Sequence, residues 1–276
     1  MIQYSDERVA VFQSALFQTT STVVNLDDGI FIVDPTWLPA EIIEIQGHVK
    51  SIQGNKQCYL LFTHGDFDHI IGYNAFPGAI TIGSARLLNH PNKEGTVGEI
   101  KDFDAKYYIV REYEIEFPQL DIVVKRDGQQ VAIGSTNLTF YLAPGHTADG
   151  LFTFVDSIGI WLAGDYLSDI ELPYIYHSAI AYEQTLKKAE KLMSAHDIKL
   201  LIPGHGRHTA DRSEMAERIA VSLDYLERLK QAVTNGDESA IAKMESEHRF
   251  LSDFTKHCHK GNIDIIRKEF AGELRL

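Results

Sequence analysis

The chain has 276 residues, 44% of them hydrophobic and 24% charged, enough apolar material for a sizeable core and a composition that excludes global disorder. Its 26 Lys and Arg against 39 Asp and Glu leave a net charge of −13, the wrong sign for a partner made of phosphate backbone or anionic membrane. At roughly 150 residues per domain, the length fits one large domain or two small ones.

The N-terminus, Met1 to Arg8, has no basic stretch leading into an apolar run. No segment approaches the ~18 uncharged apolar residues of a membrane span. Cys58 and Cys258 are too few and too widely separated for a disulfide framework. The expectation is a reduced protein of the cytoplasm.

In chain order, Ala10 to Phe17 and Thr20 to Leu26 read as strands. Asp27-Asp28-Gly29 makes a hairpin turn into the apolar run Ile30 to Val33, which Asp34-Pro35 stops. Ile42, Ile45, Val49 and Ile52 recur at helical spacing and predict a helix over 38–52. Tyr59 to Thr63 and Ala79 to Ile82 are further strands. The segment 86–118 reads as irregular and then helical over 97–110. Strands return at 120–124, 129–133, 136–142, 150–156 and 158–163. A helix over 182–196 precedes a short strand at 199–202. The tail is helical over 211–233, 239–250 and 263–270. Two batches of strands, each followed by helices, predict two sheets packed between helix layers.

The strand Tyr59 to Thr63 runs into His64-Gly65-Asp66-Phe67-Asp68-His69, four metal-competent side chains within six residues. Alone, Asp68 would read as a helix cap and a single His as a surface residue. Delivered together at a strand end and helix start, they can be aimed into one cavity. Three more such residues follow apolar strands, each directly after a glycine: Gly145-His146, Gly164-Asp165 and Gly204-His205. Gly tolerates the tight turn that leaving a strand requires.

This pattern resembles the metallo-β-lactamase superfamily, whose motif is His-x-His-x-Asp-His followed by a His, a bridging Asp and a last His. The resemblance runs from the first strands to about residue 208. It implies an α/β fold, the αββα sandwich, with metals at one edge between the sheets. Residues 1–210 would form that domain and 211–276 a C-terminal helical extension packed on it. It also implies that His64, Asp66 and His146 hold one divalent ion, that Asp68, His69 and His205 hold a second, and that Asp165 bridges them. The departure is Asp66, where the family usually has His. With it, the formal charges of two divalent ions, three carboxylates and one hydroxide cancel. An imidazole there would leave one positive charge. A less positive cluster activates water less, and a carboxylate is the harder ligand. Zinc is the expected ion, with iron or manganese as alternatives. Diiron relatives carry Glu at that position.

The resemblance implies a metal-dependent hydrolase in which hydroxide shared by the two ions attacks a small ester, thioester, lactone or phosphoester. The alternative is a diiron oxygen-binding or redox protein of the same superfamily. Asp68 would orient the nucleophile or shuttle a proton. Tyr174, Tyr176 and His177, in the connection after Asp165, are candidate pocket residues or oxyanion donors; Tyr174 and His177 are taken as catalytic candidates. The expected partner is a small-molecule substrate, with no nucleic acid and no membrane. His208 is read as a surface residue and His257-Cys258-His259 as an exposed tail. The helical tail either caps the site and sets substrate choice, as in glyoxalase-II-like thioesterases, or forms a packing or homodimer surface. Lys256, Lys260, Arg267 and Lys268 read as a solvated face.

Overall fold

Side-chain alternation along the strands sets the layers in the computed structural model, which describes residues 1–270. One sheet contains, in spatial order, β1 (Ile2–Ser5), β2 (Val9–Gln13), β3 (Thr20–Asn25), β4 (Gly29–Val33), β5 (Gln57–Leu61), β6 (Ile80–Ser84) and β7 (Ile122–Val124). Pairing is antiparallel from β1 to β4 and parallel from β4 to β7. The helix α1 (Pro39–Gln53) makes the crossover between β4 and β5 that a parallel pair requires. The second sheet runs β12 (Leu200–Ile202), β11 (Ile160–Leu162), β10 (Leu151–Val155), β9 (Thr136–Leu142), β8 (Gln129–Ile133).

Phe31 and Val33 face Leu138, Phe140, Leu162 and Ile202 between the sheets. Their neighbours Ile30 and Ile32 point the other way, onto Ile42, Ile45 and Val49 of α1. On the outer face of the second sheet, Phe152, Phe154 and Trp161 pack under α5 (Ala179–Ala195) and α6 (Arg212–Asn235). Three apolar interfaces separate four layers, which is the expected αββα sandwich.

The expected elements differ from the observed ones mainly at their ends. The strand from Ala10 stops at Gln13, because Phe17 and Gln18 turn through positive φ. β1 is absent from the sequence reading; it is short and largely exposed, and pairing with β2 is what makes it a strand. After two short helices, α2 (Phe67–Ile70) and α3 (Ala85–Leu88), α4 spans Lys93–Tyr107. Asn92 caps α4 and Tyr108 ends it in the left-handed region, so Val110 lies outside.

The largest correction concerns the tail. α7 (Glu238–Glu245) ends before residue 250, and α8 (Asp253–Glu269) begins ten residues earlier than 263, capped by Ser252 and Thr255. His257-Cys258-His259 is therefore no exposed tail: Cys258 and His259 are buried and only His257 faces out. A polar chain runs through this helical tail. Asn262 donates to the Tyr225 hydroxyl at 3.0 Å, and Tyr225 lies 2.9 Å from His259 Nδ1. His259 Nε2 reaches the Ile241 carbonyl at 3.2 Å. With Tyr225 donating to Nδ1, His259 is the neutral Nε2–H tautomer.

Neighbouring His248 is also buried, and burial together with His259 pushes its imidazole down to about 4. In the unfolded chain the value is about 6.5, so the unfolded state takes up the proton first as pH falls. This stabilisation is complete above about pH 6.5 and lost as pH drops toward about 4. Urea midpoints of the wild type are expected to fall between pH 7 and pH 4.5 by more than those of His248→Phe. Equal losses in both proteins would refute the assignment.

Candidate metal centre

All seven predicted ligands sit at one edge of the two sheets. His64 and Asp66 lie in the turn after β5, and Asp68 and His69 on α2. His146, Asp165 and His205 follow β9, β11 and β12. The glycine turns contribute as expected at two of them, with φ of +139° at Gly145 and +53° at Gly164. Gly204 acts differently: a Cβ there would collide with Asp165 Oδ1.

The side chains converge into two groups, His64, Asp66, His146 and Asp165, and Asp68, His69 and His205, with ligand atoms of each group within 4.8 Å of one another. Asp165 lies at the centre. Its Oδ2 is 3.2 Å from Nε2 of His146, 3.2 Å from Nε2 of His205 and 3.6 Å from Nε2 of His64. Its Oδ1 is 3.0 Å from His69 Nε2. Asp66 Oδ2 stands 3.1 Å from His146 Nε2 and 3.7 Å from His64 Nε2. Asp68 Oδ2 stands 3.4 Å from His205 Nε2 and 3.6 Å from His69 Nε2. Ligands ~2.1 Å from a tetrahedral cation are separated by ~3.4 Å, so these spacings match the edges of two coordination shells. Asp66 begins α2 without making a capping bond; its carboxylate is turned to the imidazoles instead.

Each imidazole is held from behind. His146 Nδ1 donates to the Tyr174 carbonyl at 2.8 Å and His205 Nδ1 to the Phe17 carbonyl at 2.9 Å. His69 Nδ1 bonds Asp34 Oδ2 at 3.0 Å, and His64 Nδ1 lies 3.0 Å from Thr63 Oγ1. Thr63 Oγ1 in turn donates to Asp34 Oδ2 at 2.5 Å. A proton fixed on Nδ1 leaves the Nε2 lone pair toward the centre, the arrangement that ligating histidines use. Asp68 Oδ2 accepts from Thr19 Oγ1 at 3.2 Å, and Thr19 accepts from Trp37 Nε1 at 3.0 Å. Of these supports, Asp34, Thr63, Thr19 and the Phe17 carbonyl were not singled out in the sequence.

The donor set fits divalent cations. Among the described residues, His64 Nε2 and Asp165 Oδ1 are buried with no hydrogen-bond partner, which is costly unless something else satisfies them. Burial opposes charge on His205, yet Asp165 and Glu171 pull it up to about 10; His146 is likewise raised against burial, chiefly by Asp165. Three carboxylates and four imidazoles thus form a focus of negative potential that calls for positive charge.

A family model for the metallo-β-lactamase superfamily matches residues 15–205. The chain belongs to the metallo-β-lactamase superfamily. Among solved structures, it resembles a metallo-β-lactamase from Pontibacter korlensis, at 17% identity and a TM-score of 0.56 over 82% of this chain and 98% of that one. A metallo-β-lactamase family protein from Thermus thermophilus matches at 16% identity and a TM-score of 0.66, over 95% and 94% of the two chains. The sec-alkylsulfatase Pisa1 from Pseudomonas sp. matches at 10% identity and a TM-score of 0.69, over 98% of this chain and 50% of that one. At these identities the likeness is one of fold. No curated protein sequence matches.

In this member of the metallo-β-lactamase superfamily the centre opens to a cleft of about 390 Å³ that exposes Asp66, Asp68, His146, Asp165 and His205. Tyr174 and Tyr176 line it, with His90, Glu99 and His257 on other walls. Tyr174 serves twice, since its carbonyl also anchors His146. Tyr176 is tied to Cys258 Sγ at 3.4 Å. His177 is placed otherwise than expected: its side chain is exposed and outside the cleft lining. Its backbone N–H holds the His146 carbonyl at 3.0 Å, so the connection turns the side chain away. His208 is half-buried against β1, 2.6 Å from Gln3 Oε1.

Sequence reading also missed Asn262, a fully buried residue of α8. It donates to the Pro173 carbonyl at 2.7 Å and accepts from Ile175 N–H at 2.8 Å, clamping both sides of Tyr174. Asn262→Leu is expected to weaken divalent-ion binding at the candidate group His64, Asp66 and His146 by about tenfold, the lower end of losses at supporting residues. Chelator competition measures this; unchanged affinity at both sites would contradict it.

Proposed function

We propose that this chain is a hydrolase that uses two divalent ions to cleave a small ester, thioester, lactone or phosphoester. The observation that carries the reading is the convergence of four back-anchored imidazoles on Asp165. His64, Asp66 and His146 would hold one ion and Asp68, His69 and His205 the other, with Asp165 shared. Such ions supply Lewis acidity toward water and toward the substrate's carbonyl or phosphoryl oxygen. The chain's own groups do the rest. Asp68, steadied by Thr19, orients the attacking water and takes its proton. Tyr174 keeps its phenol neutral, because burial and then Glu171 raise it, so it donates a hydrogen bond to a developing oxyanion. Zinc is the first candidate ion. Cys58 and Cys258 are buried free thiols, which accords with a reducing cytoplasm.

Asp66 favours a second reading, a diiron oxygen-binding or redox protein, because a third carboxylate hardens the donor set. One experiment separates the two: elemental analysis of unsupplemented protein, its absorption spectrum, and turnover on thioester, lactone and phosphodiester substrates. About two zinc per chain with turnover supports the hydrolase. Two iron with a visible charge-transfer band and no turnover supports the alternative.

A further inference from the structure

Beside the metal-facing cleft lies a second cavity of about 270 Å³. Ala15, Phe17, Ile170, Tyr174, Phe250 and Phe254 are half of the residues that line it. It shares Phe17, Glu171, Tyr174 and Phe254 with the cleft, so the two spaces adjoin. The partition between them is aromatic. The Phe254 ring centroid lies 5.0 Å from that of Phe17 and 5.9 Å from that of Tyr174.

Three observations identify what this space accepts. Phe17 and Phe254 are 40% and 39% exposed and Phe250 is 50% exposed, so the fold leaves three large aromatic side chains of this wall uncovered. Second, Phe17 and Gln18 hold φ of +52° and +50°, a region that costs energy for side chains of this size. That turn places the Phe17 ring in the partition while its carbonyl anchors His205, which couples the second space to the metal centre. Third, ionisable groups are a minority of the wall: Glu171, 4.0 Å from His205, Arg249, 3.9 Å from Asp169 and 60% exposed, and His248, kept neutral by burial. Between them, hydrocarbon finds matching surface.

We propose that this compartment receives an uncharged hydrocarbon chain of the substrate, alkyl or aryl, joined to the group that reacts in the adjoining cleft. The proposal rests on the hydrolase reading and narrows it, from any small ester, thioester, lactone or phosphoester to one carrying several apolar carbons.

The test is calorimetric binding of primary alcohols, from butanol to decanol, to the full chain. Affinity is expected to rise roughly threefold to fourfold per added methylene until the compartment is filled, and then to level off. Ala15→Trp places an indole in the cavity, away from every metal-facing side chain, and is expected to flatten the series with metal content unchanged. Phe250→Ala, which removes one wall, is expected to shallow the slope and stands in should the Trp variant fail to fold. A flat series in the wild type, or an undiminished slope in the variants, overturns the proposal. Because the readout is binding, the two readings fail separately. A steep series without turnover on any ester counts against the hydrolase alone, and turnover with a flat series counts against the compartment alone.

Discussion

If the chain is the two-ion hydrolase proposed above, replacing His64 by Ala is expected to reduce bound metal from about two ions per chain toward one and to abolish hydrolysis, because a two-ion mechanism fails when either ion is lost. His64 is buried, its Nδ1 rests on Thr63, and its Nε2 has no hydrogen-bond partner among the described residues. The substitution therefore deletes one of the four donors of that group. Asp66 and His146 remain, but the pair is left with Asp165 as the only other ligand of that group. Structural damage should be slight, because the backbone of the turn is secured independently by Thr63 N–H donating to Asp34 at 2.9 Å. His177→Ala is the control: its exposed side chain leaves metal content and turnover intact. Full activity with full metal content in His64→Ala would sink the assignment.

That the seven candidate ligands would converge was legible in the sequence for a local reason. Each stands at the end of an apolar run, and three follow a glycine, so strand, turn and donor are contiguous in the chain. What supports them was not legible, because it depends on long-range register. Asp34 read only as the residue that stops β4. Parallel pairing of Val33 with Leu61 is what carries it alongside Thr63 and then His69. The start of α8 was hidden differently. Its buried face includes Thr255, Cys258, His259 and Asn262, so an apolar period of the kind that revealed α1 does not appear before Ile263. A helix whose inner face is a hydrogen-bonded network satisfies burial by pairing, and pairing has no compositional signature. The same network reaches the metal centre through Asn262 and Tyr174. Residues beyond the matched segment 15–205 thus help to fix a ligand within it.

Asp34→Asn is expected to lose about 10- to 100-fold in affinity for the ion held by Asp68, His69 and His205. The substitution keeps size and tolerates the native φ of +44°, so backbone strain does not confound it. What changes is the count of acceptors. Asp34 Oδ1 takes the Thr63 N–H, while Oδ2 takes both the Thr63 hydroxyl and His69 Nδ1–H. An amide has one oxygen for these three donors. If that oxygen stays with Thr63 N–H, the amide NH2 faces His69 and favours the tautomer with its proton on Nε2. That proton would then occupy the lone pair directed at Asp165. If the amide turns over, His69 keeps its tautomer but Thr63 N–H is left buried and unpaired. The second outcome costs about 1–3 kcal/mol of stability at the end of β5. Stepwise metal titration and urea unfolding of the same preparation separate the branches, since one moves affinity and the other stability. Neither quantity changing would mean that Asp34 does not fix His69, whose imidazole would then hold its tautomer without that carboxylate.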